Sequence, residues 1–172
     1  MKKIFITGGA GFIGSHISEQ IFLTFKKSKI IIFDKLTYAG KKNYISNIIK
    51  SHRVKFIKGD FFEKEVVAKI TTYFNCKIDI VLSDMAANTT GNKNLDSFRT
   101  GELCLNGMEL SRDLLSKDGI FLAKIFMGSI FKEIYINAKK HFKNVVNYKP
   151  LSSKKDSKEI YIFCKGVLKY DT

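Results

Sequence analysis

Proline occurs once and cysteine three times in these 172 residues, and 16 acidic side chains stand against 30 lysines and arginines. A single proline and a 45% hydrophobic content exclude collagen-like and disordered classes and leave a globular chain. Cys76, Cys104 and Cys164 are odd in number and far apart, and no C-x-x-C occurs. That argues against a disulfide framework or a zinc site and predicts no metal and a reducing cytoplasm. No apolar run approaches the ~20 residues needed to cross a bilayer, so no membrane partner is expected. The apolar start Ile4-Phe5-Ile6 meets Gly8-Gly9 almost at once, which reads as a strand and not as a signal peptide. The length suits one domain, expected to act as a monomer, and is too short for two ordinary ones.

The shortage of acid leaves a formal charge of +14. Such an excess is self-repulsive, and a polyanionic partner is the first explanation. A genome that favours lysine codons is the bland one. The excess is uneven: residues 1–60 hold 12 basic and 3 acidic residues, and the remainder 18 and 13.

Short β-rich runs alternate with helical stretches, the pattern of a mostly parallel α/β sheet covered on both faces. Strands are predicted at 3–7, 29–34, 54–58, 78–83, 119–126, 144–149 and 159–165. Helices are predicted at about 12–26, 41–50, 63–74, 97–116 and 129–141. The last two strands are joined by a short polar loop, Pro150 to Ser157, too small for a crossover helix, so they should pair antiparallel. The predicted architecture is one Rossmann-like doubly wound domain over 1–172, ending in an antiparallel strand pair.

Thr7-Gly8-Gly9-Ala10-Gly11-Phe12-Ile13-Gly14 sits between the first strand and the first helix. Glycines there permit a tight turn, close approach of backbone to a pyrophosphate, and close packing of helix on strand. The helix N-terminus adds free N–H groups for an anion. Asp34 ends the second strand, where a carboxylate can accept from ribose hydroxyls. Gly8, Gly9, Gly11, Gly14 and Asp34 are therefore candidate cofactor-binding residues.

This stretch, with Phe33-Asp34-Lys35-Leu36-Thr37-Tyr38-Ala39-Gly40, resembles NAD(P)-dependent sugar-nucleotide epimerases and dehydratases of the dTDP-glucose 4,6-dehydratase type. The likeness runs from Met1 to about Asp60 and implies NAD(P) as an alternative cofactor. The Tyr-x-x-x-Lys pair of that family is matched by Tyr38/Lys42, Tyr73/Lys77, Tyr135/Lys139 and Tyr161/Lys165. Four matches in a lysine-rich chain discriminate nothing.

Residues 59–172 resemble a different family, the FtsJ/RrmJ ribose 2′-O-methyltransferases. The matching stretches are Gly59-Asp60-Phe61, Val81-Leu82-Ser83-Asp84-Met85-Ala86-Ala87-Asn88 with Gly91, and Leu122-Ala123-Lys124-Ile125-Phe126. Lys149-Pro150 with Ser152-Ser153, and Ser157-Lys158-Glu159-Ile160-Tyr161-Ile162, complete them. The resemblance implies methyl transfer from S-adenosylmethionine to a ribose 2′-hydroxyl of RNA, with rRNA or a ribosomal subunit as partner. It implies catalytic roles for Asp84, Lys124 and Glu159, and an adenine site at Asp60 and Phe61. The chemistry agrees: a ribose hydroxyl must lose its proton as it attacks a sulfonium methyl, and a lysine in apolar surroundings can take it. The family's Asp-x-Gly and Pro-Gly-Gly cofactor turn is replaced here by the glycine loop, and its further catalytic lysine ahead of the first strand has no counterpart. The chain thus reads as a dehydratase-like half, 1–60, joined to a methyltransferase-like half, 61–172. A non-catalytic nucleotide- or RNA-binding domain is the remaining alternative, with Lys139, Lys140, Lys154 and Lys155 as conceivable RNA contacts.

Overall fold

The computed structural model of the chain describes residues 1–60, 63–88, 90–151, 153–154 and 156–168. They form two compact units, Met1–Asp84 and Met85–Thr172. This division follows packing and does not coincide with the boundary expected at Gly59-Asp60.

The first unit contains β1 (Lys2–Thr7), α1 (Phe12–Thr24), β2 (Ser28–Asp34), β3 (Val54–Lys58), α2 (Lys64–Phe74) and β4 (Ile78–Ser83). Its four strands are parallel, in the order β3-β2-β1-β4. Ile4, Phe5, Ile6, Ile30, Ile31 and Ile32 are all buried, so β1 and β2 are covered on both faces, as a parallel sheet with crossover helices requires. One face carries Ile4, Ile6, Ile30 and Ile32 into a cluster with Ala10, Ile45, Ile48 and Val54. On the other, the Phe5 and Phe33 rings lie 6.1 Å apart. The helix α1 presents small buried residues, Gly14, Ser15 and Ser18, which let it approach the sheet closely.

The helix predicted at 41–50 is absent. Its place is taken by a 3₁₀ turn over Lys42–Ile45, followed by further short turns in which Ser46 donates to the Asn43 carbonyl and Ile48 to that of Ile45. β-Branched Ile45, Ile48 and Ile49 resist the α conformation, and Asn43, Ser46 and Asn47 compete locally for its backbone bonds. The apolar side chains are still used: Ile45 and Ile48 are buried against the sheet.

The second unit contains α3 (Lys93–Leu114), β5 (Leu115–Phe126), α4 (Phe131–His141), β6 (Phe142–Tyr148) and β7 (Glu159–Val167). Here β7 lies between β5 and β6 and runs antiparallel to both. The predicted antiparallel end is therefore present, and β7 extends it to β5. The helix α3 begins four residues ahead of the predicted 97, because the Asn92 side chain accepts from the Asn94 and Leu95 N–H groups and starts it there. Its buried stripe, Ser97, Thr100, Gly101, Cys104, Met108, Ser111 and Leu114, recurs at helical spacing.

Candidate active site

In a parallel sheet all strands deliver their carboxyl ends to one edge, and ligands bind there. In the first unit that edge carries Gly8 after β1, Asp34 at the end of β2, Gly59-Asp60 after β3 and Asp84 after β4. Thr7 and Ser83 are register partners, and the Asp84 N–H donates to the Thr7 carbonyl at 3.0 Å. Asp84 is thus tied to the residue that opens the glycine loop.

The loop is a real turn. Gly8 has φ +68, the left-handed region that favours glycine, and the Gly11 N–H donates to its carbonyl at 3.1 Å. A Cβ on Gly14 would collide with the Gly8 carbonyl, and one on Gly9 would come within 2.7 Å of the Ile32 side chain. Those two glycines are thus required by the chain's own packing, before any ligand is considered. The Ser18 hydroxyl fastens the helix to the turn by donating to the Gly9 and Gly14 carbonyls at 3.3 and 2.8 Å.

Asp34 is buried and engaged by the backbone. One carboxylate oxygen accepts the Ala10 N–H at 2.9 Å and the other accepts that of Leu36 at 2.7 Å. The carboxylate therefore ties the glycine loop to the Leu36–Gly40 loop, and a second link, from the Lys41 N–H to the Ala10 carbonyl, lies beside it. Asp60 is partly exposed and accepts Lys35 Nζ at 2.6 Å. Phe61, its expected partner at the adenine, lies outside the described residues, as do Ser152 and Lys155.

Lys124 and Glu159 belong to the second unit. Lys124 faces Tyr161 across the β5–β7 ladder, and Glu159 faces Phe126, so Lys124 and Glu159 are diagonal neighbours on one sheet face. In antiparallel sheets such residues lie about 7–8 Å apart, within reach of long side chains. Lys124 is only 8% exposed, in a strand whose alternate residues Phe121, Ala123 and Ile125 are fully buried on the opposite face. Ser157 starts β7 by accepting the Glu159 N–H at 3.2 Å, and the Lys149 ammonium donates to the Ser157 carbonyl at 2.9 Å.

Four residues escaped the sequence reading. Lys35 pairs with Asp60 from 25 residues away, and no spacing rule signals such a contact. The Thr7 hydroxyl is buried with no hydrogen-bond partner among the described residues, at the start of the glycine loop. Thr100 and Asp96 brace the loop after Asp84: Thr100 accepts the Ala87 N–H at 3.2 Å, and Asp96 accepts both the N–H and the hydroxyl of Thr90 at 2.8 Å. The Thr90 N–H holds the Asp96 carboxyl below its ordinary range. Asparagine at 92 with an acid four residues on was the available signal for this helix start.

A family model for the FtsJ-like methyltransferases matches residues 23–167. The chain belongs to the FtsJ-like methyltransferase family. The match begins well ahead of Gly59 and takes in β2 and β3 with only the last two residues of α1, so the boundary between two families expected at Gly59-Asp60 is not borne out; the glycine loop lies before the match. The chain is 41% identical over 161 residues to a ribosomal RNA large subunit methyltransferase E of Pelagibacter ubique, covering 86% of this chain and 79% of that one. It is 43% identical over 109 residues to the protein of the same name from Rickettsia akari, covering 63% of this chain and 48% of that one. A crystal structure described as a ribosomal RNA methyltransferase from Plasmodium falciparum superposes with TM-score 0.74 and 27% identity over 97% of this chain and 87% of its own. A dTDP-glucose 4,6-dehydratase from Bacillus anthracis superposes over 66% of this chain and 33% of its own, with TM-score 0.52 and 25% identity. The fold of this FtsJ-like chain is accordingly α/β and Rossmann-like, with parallel strands in its first unit and an antiparallel set in its second.

As an FtsJ-like enzyme it implies S-adenosylmethionine as methyl donor, and the first unit's residues fit that group. The buried, unpartnered Thr7 hydroxyl and the carboxylates of Asp34, Asp60 and Asp84 line one sheet edge. Such an acid-rich edge suits a sulfonium nucleoside, whose amino groups and ribose hydroxyls are donors.

Proposed function

We propose that this chain transfers a methyl group from S-adenosylmethionine to a ribose 2′-hydroxyl of RNA, with rRNA of the large subunit as the substrate. The observation that carries the reading is the pairing of family membership with a buried lysine at position 124 beside Glu159. When bound, S-adenosylmethionine supplies an electrophilic methyl on a sulfonium. Asp60 and Phe61 would take the adenine, Asp34 and the Gly8–Gly14 loop the ribose and the amino-acid portion. Lys124 Nζ accepts the proton of the attacking hydroxyl. Glu159 on the neighbouring strand orients that ammonium once it forms, and Asp84 orients the hydroxyl. Three cysteines without a disulfide suit a reducing cytoplasm, where ribosomes are found.

The test is methyl transfer to ribosomal RNA with wild type and Lys124→Ala, together with calorimetric titration by S-adenosylmethionine and by NAD⁺. A positioned base contributes about 10²–10⁴-fold. The expected result is a loss of at least about 100-fold in kcat for Lys124→Ala, with S-adenosylmethionine affinity preserved. Activity within a few-fold of wild type would remove Lys124 from the chemistry. Binding of NAD⁺ alone would overturn the assignment of the cofactor.

A further inference from the structure

The strand β3 is the outer strand of the first unit's sheet and, among the described residues, pairs only with β2. Along its free side and the flank of α2 runs an open groove of about 790 Å³. Lys55, Lys58 and Lys69 line it as exposed ammoniums, and Phe56 and Tyr73 as partly buried rings. Two more lysines sit over those rings: Lys29 Nζ is 5.9 Å from the Tyr73 centroid and Lys42 Nζ is 5.6 Å from that of Phe56. The acid lining the groove is Glu65, already 3.8 Å from Lys69. Three ammoniums therefore line the groove with one carboxylate, and two more lie over its rings. The groove starts at Lys58, two residues before Asp60, and runs back along β3.

Lysines on an edge strand also serve to discourage strand-to-strand pairing. That role accounts for Lys55 and Lys58. It gives no part to Lys69 on the helix, or to the lysine-capped rings. Cations spaced along an open track, with aromatic faces between them, match the needs of a single strand: phosphates meet ammoniums and unstacked bases meet rings. A duplex hides its base faces and could use only the charges. We infer that this groove is a docking track for a single-stranded segment of RNA, running back along β3 from beside Asp60.

The inference rests on RNA being the substrate, and the experiment separates the two. Binding of a fluorescent single-stranded oligoribonucleotide to the full chain is followed over a salt series. It is measured for wild type, for Lys55→Gln/Lys58→Gln/Lys69→Gln, and for an equal-charge control at exposed lysines given no binding role, Lys26→Gln/Lys27→Gln/Lys117→Gln. Each phosphate contact on a single strand contributes about 0.7 to the slope of log K against log salt. The groove variant is expected to lose about 2 from that slope and to bind more weakly, while the control keeps the wild-type slope. Tyr73→Ala is expected to weaken binding at least about fivefold through lost stacking. Wild-type slope and affinity in the groove variant would overturn the inference, as would equal losses in both lysine sets. RNA that binds through the groove without being methylated would overturn the proposed function and leave this surface standing.

Discussion

Replacing Asp34 by alanine removes two hydrogen bonds from a site that water hardly reaches, since the residue is 7% exposed. The Ala10 N–H and the Leu36 N–H both lose an ionised acceptor. A buried donor left without a partner costs about 1–3 kcal/mol. The Leu36 donor is only partly buried and recovers some of its loss from water. Leu36 also has φ +56, a strain of about 1–2 kcal/mol already carried by the wild type, so it adds nothing to the loss. Together the two lost bonds set the expected destabilisation at about 2–4 kcal/mol. With a urea m-value of about 2 kcal/mol/M for a chain of this size, the midpoint falls by about 1–2 M. Asp34→Asn keeps one acceptor and turns an amide N–H towards the other donor, so a loss of roughly half is expected. Urea unfolding followed by circular dichroism measures both variants. A midpoint within about 0.25 M of wild type for Asp34→Ala would refute the bracing role and return the carboxylate to ligand binding alone.

Two further predictions concern the second unit and the thiols. Burial pushes the Cys164 thiol up to about 12 and raises that of Cys104 further, whereas Cys76 is exposed. A chromogenic disulfide reagent should therefore label one thiol quickly in the native chain and all three in guanidinium, and fast native labelling of two would contradict the burial of Cys104 and Cys164. Burial first, then the Arg112 charge, lowers the His141 pKa, with Lys140 adding to it and Glu109 and Asp113 opposing. A histidine whose folded value is depressed contributes its full stability above its unfolded value of about 6.5, and that stability is lost as pH falls towards the folded value. The melting temperature should drop between about pH 7 and pH 5.5, with a smaller drop in His141→Gln; equal drops would exclude His141 as the source.

Legibility followed the range of the interactions involved. Period and composition were enough for β1, β2, β3 and β4, because consecutive aliphatics such as Ile30-Ile31-Ile32 fit a strand buried on both faces and little else. The carboxyl-end residues followed from strand ends, so Asp34, Asp60 and Asp84 were found at their edge. Segment 41–50 was misread because its apolar spacing is helical while its residue types disfavour a helix, and packing of Ile45 and Ile48 needs only turns. The Lys35–Asp60 pair and the commitment of Asp34 to two backbone donors depend on loop geometry that no local rule encodes. The antiparallel partner of β6 was legible from loop length, whereas the register that sets Lys124 diagonal to Glu159 required the strands themselves.

The glycine loop shows why a motif can be correct as structure and silent on ligand. Gly14 is demanded by the Gly8 carbonyl and Gly9 by the Ile32 side chain, so both would be kept whether the site took a dinucleotide or none. The loop also lies ahead of the region that matches the methyltransferase family. Asp34 does not discriminate either: a carboxylate ending β2 can accept from ribose hydroxyls, and a dinucleotide and a sulfonium nucleoside both carry them. The glycine turn and its acid are thus complete as structure and common to both ligand classes, so only the paired titrations with S-adenosylmethionine and NAD⁺ separate the two.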